Sequence, residues 1–120
     1  MTGTVMAFEL DAAEENLLEF LCEMLGLRLR RVMQGEYGQP VGSFVVVLPW
    51  MDAPQSDEPL HDKMLVFAYV SDFHLDIILR SMKAEHIAVG SYKAVLTENN
   101  AAWNAYTLLE ELRREREALK

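Results

Sequence analysis

Apolar and polar positions along the chain follow two periods, and the changes of period mark the elements. From Thr4 to Leu10 the period is two, with Val5, Ala7 and Glu9 on one face and Met6, Phe8 and Leu10 on the other, which predicts a strand. Asp11 and Glu14 have the spacing of a capping box. Leu17, Leu18, Phe20, Leu21, Met24 and Leu25 then recur at helical spacing, while Glu14, Glu15, Glu19 and Glu23 take the wet side. Gly26 is the expected stop, because a residue without Cβ suits a left-handed helix end. Leu27 to Met33 reads as a second strand, and Arg28, Arg30 and Arg31 place it at a sheet edge, where charge discourages stray pairing.

Gln34 to Ser43 is rich in turn formers. Phe44 to Leu48 has the β-branched composition of a buried strand. Residues 49–63, with Pro54, Pro59, Asp52, Asp57, Glu58 and Asp62, read as an acidic mobile loop with few buried contacts. Met64 to Val70 is apolar on both faces, as a central strand would be. Ser71 caps the next helix, whose buried stripe is Leu75, Ile78, Leu79 and Met82, and Glu85-His86 end it. Tyr92 to Leu96 is the fourth strand. Asn99 or Asn100 is expected to cap a last helix reaching about Leu119, with Ala105, Leu108, Leu109 and Leu112 inward. Its end, Arg113 to Glu117, is polar all round and should project or fray.

The pattern repeats. Strand, capped helix and strand from Val5 to Met33 echo strand, capped helix and strand from Leu65 to Leu96. Two βαβ units in tandem predict an α+β protein of the ferredoxin-like split βαβ type. That fold is a four-stranded antiparallel sheet with both helices on one face, here with an extra short helix after the second strand and a C-terminal helix. Extended further, the echo sets Glu36–Pro40 against Glu98–Ala102 and turns Gln39–Val46 into a short helix, against its β-branched propensity. The two turns should then occupy related places.

Composition narrows the function. The 120 residues are one domain's worth, 51% hydrophobic and 25% charged, which argues against disorder. A net charge of −8 disfavours nucleic acid, which needs a basic stripe to displace counterions. The basic groups are small: Arg28/Arg30/Arg31 and Arg113/Arg114/Arg116. Cys22, the single cysteine, excludes an intrachain disulfide and falls among apolar neighbours as a reduced, buried thiol. No secretory signal and no membrane-length apolar run are read, so the expected compartment is the cytoplasm.

Chemical candidates gather in one stretch. His61, His74 and His86 lack zinc spacing, no phosphate-cradling glycine motif exists, and neither cofactor nor metal is expected. Between Tyr92 and Asn104, Lys93 alternates with apolar neighbours and could hold an anion. Thr97, Asn99 and Asn100 at an expected helix start offer hydroxyl, amides and free N–H groups. Trp103 and Asn104 follow, where an indole could stack on a ligand. Tyr37 and Gln39 add a second polar-aromatic turn through the echo. The competing reading is structural, with Thr97 and the asparagines as caps, Trp103 as a core plug and Lys93 snorkelling over an edge.

Tyr92-Lys93-Ala94-Val95-Leu96-Thr97, followed by Asn100, Trp103 and the Leu109-Glu110-Glu111-Leu112 helix, is similar to a bacterial domain-of-unknown-function family, number 3783. Glu36 to Gly42 resembles the upstream part of its longer members. Members carry proline where this chain has Glu98, and Leu-Ala-Gly where it has Phe44-Val45-Val46. The resemblance implies a small cytoplasmic bacterial protein and assigns no activity.

Two functions follow as expectations. The first is a non-catalytic binding or regulatory module acting through a sheet face or the Tyr92–Asn104 turn. It would be a homo-oligomer with a protein partner or a small anionic ligand, and would bind neither nucleic acid nor membrane. Self-association would cover an open sheet face bearing Phe67, Tyr69 and Val95. The second is a small enzyme or small-molecule-binding protein using Lys93 and the Thr97/Asn99/Asn100 helix start as an anion site. A lone lysine without an acid–base partner favours the first.

Overall fold

The computed structural model describes residues 2–45, 48–52 and 55–119. Strand β1 is Thr4–Phe8, helix α1 Ala12–Met24 and strand β2 Arg28–Val32. Two 3-10 turns follow, Gln34–Glu36 and Val41–Val45. Then come β3 (Met64–Ala68), α2 (Asp72–Ala84), β4 (Tyr92–Val95) and α3 (Ala105–Ala118). The local signals explain these boundaries. Asp11 accepts the Glu14 N–H at 2.7 Å while Glu14 accepts the Asp11 N–H at 3.1 Å, closing the capping box. Ser71 Oγ accepts the His74 N–H at 3.1 Å, and Gly26 takes a φ of 70° just past α1.

The four strands lie in the order β2-β1-β3-β4. β1 runs parallel to β2, β3 parallel to β4, and one antiparallel seam joins β1 to β3. The sheet is therefore mixed, which corrects the expected antiparallel, ferredoxin-like sheet. In a split unit the two strands leave a gap for a strand of the other unit. Here each helix returns the chain directly beside its own strand, so each unit closes as a parallel pair. The coarser reading stands: an α+β molecule with a four-stranded sheet and, among the described residues, three α-helices.

The internal echo is structural. Met6 faces Val66 in the seam, and the two halves are related about that pair. Asp11 answers to Ser71, Leu18 to Ile78 and Cys22 to Met82. Helices α1 and α2 have 13 residues each. Glu9 and Tyr69, each directly after its strand, take positive φ values of 65° and 58°. Leu27 N–H donates to Cys22 O at 2.8 Å, and Ile87 N–H donates to Met82 O at 2.9 Å.

Both faces of the sheet are covered. Val5, Ala7, Leu65 and Phe67 pack with Leu18 and Cys22 of α1 and Ile78 and Met82 of α2. Met6, Phe8, Met64 and Val66 pack on the other side with Tyr37, Val41, Leu60, Leu108 and Leu109. Phe67 is thus buried, while Tyr69 and Val95, expected beside it on an open face, are about half exposed. The short helix predicted over Gln39–Val46 forms as the single 3-10 turn Val41–Val45, while Val46 and Val47 lie outside the described residues. Residues 49–63 make more contacts than their composition suggests. Leu60 is buried, its N–H donates to Glu9 Oε2 at 2.7 Å, and Arg113 binds Asp62 at 2.7 Å and Leu60 O at 3.1 Å. Tyr106 hydrogen-bonds Ser56 and Glu58. The Ala53–Pro54 part lies outside the described residues.

Candidate functional site

Strand β4 forms one edge of the sheet, and α3 runs beside it. Tyr92 N–H donates to Lys63 O at 2.9 Å and Leu96 N–H donates to Phe67 O at 2.8 Å. Alternate residues of a parallel strand bond to the same neighbour, so Lys93 and Val95 turn their N–H and C=O groups outward. Asn100 Nδ2 donates to Val95 O at 3.0 Å, which leaves both N–H groups and the Lys93 carbonyl along this edge.

A groove of about 430 Å³ runs along it. Five expected residues meet there: Lys93, Thr97, Asn99, Asn100 and Trp103. Leu108, Leu112, Glu111 and Glu115 of α3 form the far wall. On the α2 side of the same edge, a smaller cleft of about 110 Å³ is lined by Phe67, Leu75, Leu79 and Val95. Lys93 is exposed and its Nζ donates to Ser91 O at 3.2 Å. Desolvation of the ammonium, and then the nearby Arg116, pull its pKa below the ordinary lysine value.

The polar residues of the turn are occupied with one another. Thr97 N–H donates to Asn100 Oδ1 at 2.9 Å, and Asn100 N–H donates to Thr97 Oγ1 at 3.2 Å. The cap of α3 is Asn104, whose Oδ1 accepts the Thr107 N–H at 2.9 Å. This corrects the expected cap at Asn99 or Asn100. The expected helix start is a closed turn in which the N–H groups of Thr97 and Asn100 and the Asn100 amide already have partners. Asn99 is exposed, and Trp103 is half-buried against the α3-side core, between plug and platform.

Tyr37 and Gln39 stand away from the groove. Tyr37 is buried 6.0 Å from the rings of Phe8 and Tyr106, and burial, then Glu9, push its phenol pKa up. The Gln39 amide is 5% exposed and holds Met51 at both ends, donating to its O at 2.8 Å and accepting its N–H at 2.7 Å. The two turns nevertheless meet, as the echo implied. Val41 N–H donates to Trp103 O at 2.8 Å, Gly42 N–H to Ala101 O at 2.9 Å and Ala105 N–H to Tyr37 O at 3.2 Å. A Cβ on Gly42 would stand 3.0 Å from both Cβ and O of Ala101, so only glycine allows this approach without displacement.

Arg113 and Arg116 were missed. They continue the inward series Leu108, Leu109, Leu112, and that spacing was the available signal. Arg116 lies 3.5 Å from the Tyr92 ring centroid and donates to Gly90 O and Ser91 O at 3.3 Å. The end of α3 is thus fastened to the sheet rather than frayed. Among the described residues no three His, Cys, Asp or Glu side chains come close enough together to hold a metal ion, and no helix is long and apolar enough to cross a membrane.

Residues 63–119 match the model of a domain of unknown function (DUF3783). The match runs from the start of β3 to the end of α3, so the half of the molecule that owns the groove carries the likeness. Glu36 to Gly42 lies outside it. No curated protein and no solved structure matches the chain.

Proposed function

We propose that the protein is a non-catalytic binding module, and that it takes an extended segment of a partner protein along the outer edge of β4. The observation that carries this reading is the row of outward backbone groups at Lys93 and Val95, flanked by clefts on both sides. An added strand gains affinity from main-chain bonds and specificity from pockets for alternate side chains. Leu75 and Leu79 would receive one set, and Trp103 and Leu112 the other. Against catalysis, the Lys93 Nζ finds a backbone carbonyl and a neighbouring cation rather than a hydrogen-bonded acid. Cytoplasmic location and self-association belong to the same proposal, with a second copy able to donate the strand.

The test is a selection of peptides from a random library on the intact protein, followed by backbone amide exchange. Bound peptides should protect the amides of Lys93 and Val95. Val95→Pro removes one outward donor without touching the ladder to β3 and should abolish binding while the protein stays folded. Peptides that bind Val95→Pro as well as the parent, or protect no β4 amide, would refute the reading. Light scattering of the parent and of Val95→Pro decides whether a second copy uses the same edge.

A further inference from the structure

The turn that leads into β4 differs from its counterpart. In the first half the chain passes from Gly26 and Leu27 straight into β2. In the second half Ala88-Val89-Gly90-Ser91 intervene before Tyr92. His86, Ala88 and Gly90 take positive φ values of 55°, 53° and 77°. Two of the three are not glycine, and such conformations persist only where the surroundings impose them. The loop is held from below, with Ala88 N–H donating to Glu14 Oε2 at 2.9 Å and Ile87 N–H to Met82 O at 2.9 Å. Ser91 is 3% exposed, and its Oγ has no hydrogen-bond partner among the described residues.

This loop and the end of α2 line a half-open pocket of about 600 Å³, within the usual range for small-molecule sites. Leu79, Ile87 and Val89 supply an apolar lining. Lys83, His86 and Lys93 stand around it, and no lining residue is acidic. That is notable in a chain with 19 acidic residues and a net charge of −8. Glu14, the carboxylate that holds the loop from below, is occupied by Lys63 Nζ and the Ala88 N–H.

We infer that this pocket binds a small anionic amphiphile, an apolar body ending in one carboxylate, with the body on Leu79, Ile87 and Val89 and the head group among Lys83, His86 and Lys93. A phosphate polymer would leave the apolar lining unused, and a neutral hydrocarbon would leave the basic groups without a counter-charge. The site goes beyond strand addition: it shares Leu79 and Lys93 with the β4 edge, but Lys83, His86, Ile87 and Val89 take no part there.

Octanoate and 1-octanol, titrated into the intact protein and followed by amide chemical shifts and calorimetry, test this. Octanoate should move the amides of residues 86–90. Octanol should bind at least about tenfold more weakly, the worth of one charge-assisted hydrogen bond. Lys83→Gln combined with His86→Gln should weaken octanoate by about tenfold or more on the same grounds. Val89 is 72% exposed, so Val89→Glu should abolish binding without unfolding the protein. Trp103→Ala and Val95→Pro should leave octanoate binding unchanged, which separates this site from the peptide edge. Equal binding of octanol and octanoate, shifts confined to other residues, or no shift at millimolar octanoate would overturn the inference.

Discussion

Strand β2 carries Arg28, Arg30 and Arg31 along one end of the sheet, and strand β4 carries Lys93 and Val95 along the other. They are equivalent strands of two related units, finished differently. Arg30 pairs with both oxygens of Glu36 at 2.9 and 2.6 Å and lies 5.0 Å from the Phe44 ring centroid. Arg31 reaches Glu19 at 2.7 Å and Glu15 at 3.6 Å. Charge and partner therefore cover that edge, a known defence against strand addition. At β4 the single cation bonds only a carbonyl of its own strand's approach, with an apolar cleft on one side and a mixed polar groove on the other. Even the turns after the two edges match: Met33 N–H donates to Glu36 Oε1 at 2.9 Å just as Thr97 N–H donates to Asn100 Oδ1. A duplicated unit has one end closed and the other left available, and the available end lies in the half that matches the family.

The equivalence of the halves makes the largest prediction. Leu18 and Ile78 are both fully buried, and replacing either by alanine should cost about 2–5 kcal/mol in chemical denaturation. A cost below about 1 kcal/mol for one of them would show that its helix packs independently of the shared sheet.

Cys22 and Met82 are the next test, because only the first titrates. Burial, and then Glu19, push the thiol from 9.0 up to about 11. Between those values the unfolded chain has released a proton that the folded one keeps, so stability falls as pH rises. The fall should amount to about 2–3 kcal/mol at roughly 1.4 kcal/mol per unit. Cys22→Val should flatten that part of the pH profile of the melting temperature. An unchanged slope would assign the alkaline loss elsewhere.

Trp103→Ala, removing a half-buried ring, should cost about 1–3 kcal/mol, and a larger loss would make the indole a core plug rather than a groove wall. The smallest effects distinguish the edges. Lys93→Ala should change stability by less than about 0.5 kcal/mol. Arg30→Ala with Arg31→Ala should cost about 1 kcal/mol, since exposed ion pairs contribute little. The double variant should also associate in a concentration-dependent way by light scattering, as its edge loses cover. A monomeric double variant would break the contrast drawn between β2 and β4.

What the sequence by itself determined was local. The capping box at Asp11, the cap at Ser71, the stop at Gly26 and the inward stripes of α2 and α3 act within one or two turns, so neighbouring residues encode them, whereas Leu17, Phe20 and Met24 of the expected α1 stripe are exposed. The central place of β3 and the edge place of β2 were legible because burial on two faces and charge on one leave different patterns. Strand partnership was not legible. The split and the observed arrangements put the same strands in the centre and at the edges, so the alternation of side chains satisfies both. Both arrangements also put α1 and α2 on one face, so the two differ only in which central strand each edge strand joins, here β2 with β1 and β4 with β3. The candidate site divides along the same line. Lys93 and Trp103 were legible as candidates because their types stand out against an apolar strand and a polar turn. That Thr97 and Asn100 bond each other, that Asn104 caps α3, and that Arg113 and Arg116 hold its end to the body depend on groups distant in the chain. Hydrogen-bonding capacity is written in a residue's type, but its partner is chosen only when the fold brings competing donors and acceptors within about 3 Å.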